Sequence, residues 1–104
     1  MPELMLSNLE NNLSRGLSLY AAGRPRLAFR EFSLVLDEDP ANVLGHYLCG
    51  LALRAVGLSR EANSEWKIAA GLPLRGGRPL DAAWAQRMSR HLLEADTTGE
   101  AVTL

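Results

Sequence analysis

The 104-residue chain has one cysteine, one lysine and no uninterrupted apolar run of bilayer-spanning length. Its single thiol, Cys49, cannot form an internal disulfide and fits a reducing compartment. The first residues, Met1 to Leu6, carry no basic segment and no apolar stretch of signal-peptide length. Charged residues interrupt every later hydrophobic stretch, so neither a signal peptide nor a membrane span is expected. A net charge of −1 supplies no long-range field to gather phosphates or anionic lipid, which argues against nucleic acid as a partner. The expectation is a soluble cytoplasmic protein. Lys67 stands alone against ten arginines, a bias that a GC-rich coding sequence explains as well as function does, although arginine is also the better interface residue.

What is present is the composition of one small globular domain, with 47% apolar and 22% charged residues. A chain this short leaves much of its surface exposed, and a single core gives it modest stability. The strongest signal is an internal period. Gly16 and Gly50 stand 34 residues apart, as do Gly23 and Gly57, Ala28 and Ala62, and Phe32 and Trp66. Leu17 and Leu51, Leu19 and Leu53, and Arg26 and Arg60 keep the same offset. Agreement of residue size at one period marks a repeat.

The helices within the repeat follow from spacing and punctuation. Ser7 and Glu10 have capping-box spacing, and Leu9, Leu13, Leu17 and Tyr20 then recur at helical intervals as far as Gly23, a left-handed stop. Pro25 suits the first turn of a second helix, which carries Leu27, Phe29, Phe32, Leu34, Val35 and Leu36 up to the acidic turn Asp37 to Pro40. A third helix begins near Asn42, runs through Val43 and Leu44 to Val56, and ends at Gly57. A fourth, capped by Ser59, holds Ala62, Trp66, Ile68 and Ala69 and stops at Gly71. Residues 72–79 are too rich in Gly and Pro for a helix and read as a loop. Asp81 caps a fifth helix with Trp84, Met88, His91, Leu92 and Leu93, and residues 96–104 read as a flexible tail.

This pattern resembles the tetratricopeptide repeat. Gly16, Tyr20 (one place beyond the usual aromatic), Gly23, Ala28, Phe32 and Pro40 match the family's signature in a first unit over about residues 9–42. Gly50, Gly57, Ala62 and Trp66 match it in a second unit over about residues 43–76, with Pro73 one residue early. The resemblance covers roughly residues 9–74 and implies an all-α superhelix: two helical hairpins and a capping helix over about residues 80–95, in one domain spanning 1–95. Gly16, Gly50, Ala28 and Ala62 would let the helices of a hairpin approach closely, and Phe32 and Trp66 would fill the space between one hairpin and the next. The chain departs from the pattern in three ways. The early aromatic of the first helix is missing from unit one, His46 takes its place in unit two, and Trp84 stands where the period puts a third glycine. Two units fall below the three usually needed for a stable stack, so a homodimer or a bound partner is expected.

In this family the first helix of each pair lines a concave groove. Carried over by position, the groove shows Leu13, Leu17, Tyr20 and Ala21 from unit one, and Leu44, Tyr47, Leu51 and Arg54 from unit two. The family's carboxylate clamp for acidic C-termini needs polar residues where Leu13, Leu17 and Leu51 stand. The resemblance therefore implies a partner with apolar anchors, an amphipathic helix or an extended peptide, bound by an adaptor or a chaperone of the kind that serves bacterial secretion systems. In the opposing reading the fifth helix or the N-terminal segment plugs the groove and the leucines are core. The competing class is a structural subunit that self-associates through its apolar surfaces.

Other chemistry is weak. His46 and Cys49, three apart on one helix, have only His91 as a further good metal ligand, short of the three or four a zinc site uses. No positioned base accompanies Cys49 in the sequence. Asp37, Glu38 and Asp39 read as a solvated turn, and Gly76-Gly77 lacks the Lys-Ser/Thr of a phosphate loop. Arg24, Arg26 and Arg30 form a small basic spot, and the final residues Ala101 to Leu104 look like a weak ligand for domains that capture C-termini. No enzymatic activity, cofactor or metal is expected.

Overall fold

The computed structural model describes the backbone of residues 2–74 and 79–103, and side chains over 8–74 and 81–95. Five helices follow in order: α1 (Pro2–Ala21), α2 (Pro25–Glu38), α3 (Val43–Ala55), α4 (Ser59–Gly71) and α5 (Pro79–Thr103), with no strand among the described residues. Helices α1 and α2 form one hairpin, α3 and α4 a second, α2 stacks on α3, and α5 packs on both α4 and α3. The result is an all-α stack of helical hairpins, longer than it is wide at 54 × 29 × 18 Å. Among the described residues no helix is long and apolar enough to cross a membrane.

The turns close as their glycines dictate. Gly23 has φ +76° and Gly57 φ +88°, the left-handed region that a side chain rarely adopts. Beyond them Arg24 N–H donates to the Leu19 carbonyl and Leu58 N–H to the Leu53 carbonyl, each at 2.9 Å, satisfying the last carbonyls of α1 and α3. Asn42 caps α3, its side-chain oxygen accepting from Gly45 N–H at 2.8 Å.

Several boundaries differ from expectation. The backbone is helical from Pro2, so Ser7 lies inside α1 rather than at a capping box. Leu58, not Ser59, is the N-cap of α4 and offers no side-chain hydrogen bond. Helix α5 starts at Pro79, which places Asp81 in its first turn, and it continues to Thr103 where the sequence reads as a tail. No proline follows Pro79 to break it. Gly76-Gly77 falls outside the described residues, as do the side chains of residues 101–104.

The core runs through the stack with α3 at its centre, where Val43, Tyr47, Leu48, Cys49, Ala52 and Leu53 are all buried. Each hairpin is closed by one glycine–aromatic pair. A Cβ on Gly16 would overlap the Phe32 ring, and one on Gly50 would overlap the Trp66 indole. The rings are thus seated on glycines inside their own hairpins, whereas the sequence reading put them between successive hairpins. Ala28 and Ala62, both fully buried, keep α2 and α4 close. Trp66 is fixed further by donating Nε1–H to the Tyr47 carbonyl at 3.1 Å.

Polar links repeat with the same period. Glu31 of α2 accepts from Arg15 of α1 at 2.5 Å, and Glu65 of α4 lies 3.2 Å from His46 Nδ1 of α3. Helix α5 is docked by Gln86, whose buried amide donates to the carbonyls of Ala69 (3.0 Å) and Leu72 (2.7 Å) at the end of α4. Arg90 adds a bond to the Ala70 carbonyl. These side chains satisfy carbonyls that the end of a helix leaves without partners.

Candidate functional site

The first helices of the successive units, α1, α3 and α5, carry the residues proposed to line the groove, and the structure divides them into three groups. Leu17 is 48% exposed and Arg54 is also exposed. Leu13, Tyr20, Leu44 and Leu51 are partly buried, each with one side against the core. Tyr47 is buried at 5% exposure, because Trp84 of α5 stands edge-on over its ring, with centroids 5.3 Å apart and planes at 84°. The sequence reading gave the Tyr47 tip to a partner; α5 covers it instead. Trp84 is 47% exposed and takes over as the aromatic at this end of the face. The period pointed at position 84 only as a broken glycine, and the residue that broke the pattern is the one presented outward.

The polar groups on this face interact. Burial pushes the Tyr47 phenol above its ordinary pKa, the nearby Tyr20 hydroxyl adds to the rise, and the Arg54 charge opposes it. Tyr20 of α1, Tyr47 and Arg54 of α3, and Trp84 of α5 therefore form one neighbourhood.

A cleft of about 250 Å³ opens beside it, between the end of α3, the start of α4 and α5. Arg54 stacks over the Trp66 ring, 5.3 Å from its centroid. Stacking uses the guanidinium face and leaves its N–H edge able to donate. With Ser59 and Asn63 on the rim and Leu92 and Ala62 on the apolar wall, the cleft is shaped to hold one side chain of a partner.

The remaining candidates have structural partners. His46 is buried, with Nε2 donating to the Pro40 carbonyl at 2.7 Å and Nδ1 facing Glu65. Two acceptors on one ring favour the imidazolium, and the His46 pKa is raised, first by the Glu65 hydrogen bond. Cys49 is buried and its thiol is pushed up to about 12, chiefly by desolvation. Among the described residues no three metal-ligating side chains come together. Arg24, Arg26 and Arg30 are exposed on α2, and His91 is exposed on α5. Sequence reasoning missed Gln86 and the His46–Glu65 pair, because each joins residues from different helices.

Comparison with protein-family models, with curated proteins and with solved structures finds no match to this chain.

Proposed function

We propose that the chain is a tetratricopeptide-type interaction module, without catalytic activity, that binds a helix or extended segment of another protein on the face formed by α1, α3 and α5. The observation that carries this reading is the exposure of Leu17 and Trp84 at the two ends of a strip whose middle is half-buried Leu13, Tyr20, Leu44 and Leu51. Large apolar side chains left open on a strip with a polar edge are what an apolar anchor docks against. Arg54 and the cleft beside Trp66 add a cationic, side-chain-sized subsite at the edge of that strip. The role is that of an adaptor or chaperone, and the single, buried Cys49 suits the reducing cytoplasm.

The test is a tagged pull-down from the source cell read by mass spectrometry, with wild type beside Leu17→Glu and Trp84→Glu. Both positions are nearly half exposed, so the variants should keep their helical circular dichroism. A partner held by wild type and lost by both folded variants supports the face. A partner retained equally by all three places binding elsewhere and sinks this reading.

A further inference from the structure

The outward side of α2 is used neither by the core nor by the face just described. Leu27 and Leu34 lie on it two helical turns apart, 40% and 44% exposed, where the burial of Ala28, Phe32 and Val35 turns them away from the core. With Leu19 of α1 and Phe29 they border a shallow groove of about 380 Å³.

The charges on this face are sorted along the helix. Exposed Arg24, Arg26 and Arg30 occupy the N-terminal half, and exposed Asp37 and Glu38 end the C-terminal half. None of these five takes part in an ion pair among the described residues. The order also opposes the helix macrodipole: α2 has no acidic residue in its first turn and no basic residue in its last. Arginines meet the positive end and carboxylates the negative end, which is the unfavourable placement at both.

We propose that a second copy of this chain docks on this face, antiparallel, about a two-fold axis crossing α2 midway between Leu27 and Leu34. Antiparallel pairing brings the basic half of each helix against the acidic half of the other, so the face is complementary to itself. In the register that sets Leu27 against Leu34 of the second copy, Arg24 falls opposite Asp37 of that copy. Arg26 then lies within one turn of its Glu38. The same pairing supplies each end of α2 with the charge sign that its dipole lacks. A nucleic acid or an anionic membrane would meet the two carboxylates on the same face. Leu17, on α1, and Trp84, on α5, are not part of this surface, so the dimer leaves the proposed partner-binding face open and the two readings fail independently.

Sedimentation equilibrium of the full chain tests the proposal. Wild type should pass from monomer to dimer mass as concentration rises, with weaker association at high salt. Arg24→Glu/Arg26→Glu makes the face largely acidic, and Asp37→Arg/Glu38→Arg makes it wholly basic apart from the leucines. Each variant alone should associate with itself roughly tenfold or more weakly than wild type. An equimolar mixture of the two should recover dimer mass, because acidic then meets basic. Both variants move charge to the end of α2 that favours it, so melting temperature should hold or rise, which separates lost docking from lost folding. Leu17→Glu should leave the dimer unchanged. A wild type that stays monomeric up to millimolar concentration overturns the proposal, as do variants that dimerise like wild type or a mixture that fails to recover.

Discussion

Replacing Gly50 by alanine puts one methyl group into the most crowded contact in the molecule. The new Cβ would lie 2.6 Å from Trp66 Cδ1 and 2.7 Å from Cε2, well inside van der Waals contact. The indole has little room to retreat, since it is 2% exposed and held by its hydrogen bond to the Tyr47 carbonyl. Two opposing effects set the outcome. Alanine gains about 1 kcal/mol over glycine in a helix interior. Overpacking costs about 1–3 kcal/mol, and displacing the ring gives up a hydrogen bond of about 1 kcal/mol and leaves a buried acceptor. The balance is a loss of about 1–3 kcal/mol, and at roughly 4–8 °C per kcal/mol for a domain of this size the melting temperature should fall by about 5–20 °C. Thermal and urea unfolding followed by circular dichroism would measure it. Gly71→Ala is the matched control: it too is helical, but a Cβ there meets nothing within 4 Å, so that variant should be neutral or slightly stabilised. Adding Trp66→Leu to Gly50→Ala should cost less than the two changes separately, because the ring that clashes is gone. A Gly50→Ala protein as stable as wild type would refute the seating of Trp66 on this glycine.

Three further outcomes follow from the polar network and the thiol. His46 has a raised pKa in the fold, through Glu65 of α4 and through Pro40 and Asp39 of the α2–α3 turn; its stabilisation is complete below the unfolded value near 6.5 and fades as pH rises through the folded value. Unfolding free energy should therefore decline above about pH 6.5, and Glu65→Gln should flatten that decline; an unchanged profile would show that the pair contributes nothing. Gln86→Ala should destabilise by about 1–3 kcal/mol in urea denaturation, since the carbonyls of Ala69 and Leu72 lose a buried donor. Cys49, with its thiol pushed up to about 12, should resist alkylation by iodoacetamide at pH 8 in the native protein and react once the chain is denatured; fast native labelling would contradict its burial.

The parts of the structure that could be read in advance are those whose cause is local. Gly23 and Gly57 announce left-handed stops because few other residues tolerate that backbone, and Asn42 announces a cap because its side chain reaches an amide three residues on. The boundaries that moved were those read from weak signals. Ser7 looked like a cap until α1 was found to begin at Pro2, and residues 96–103 looked frayed although nothing in them breaks a helix. On the candidate site, period alone placed Leu17 and Arg54 on the surface, but it could not say that α5 would lie over Tyr47. That depends on how a helix 30 residues away turns its tryptophan, and the repeat gave glycine at that position.

By itself the sequence determined an all-α chain of two hairpins and a further helix, because turns, caps and the 34-residue period depend on near neighbours along the chain. Only the tertiary structure decided which side chains are covered. It seated Phe32 and Trp66 on the glycines of their own hairpins, closed Tyr47 beneath Trp84, and gave Gln86 the carbonyls of α4. It also left Leu17, Trp84, Leu27 and Leu34 open. The physical reason is that burial belongs to pairs of surfaces: a helix fixes which residues share a stripe, and only the neighbouring helix determines whether that stripe meets protein or water.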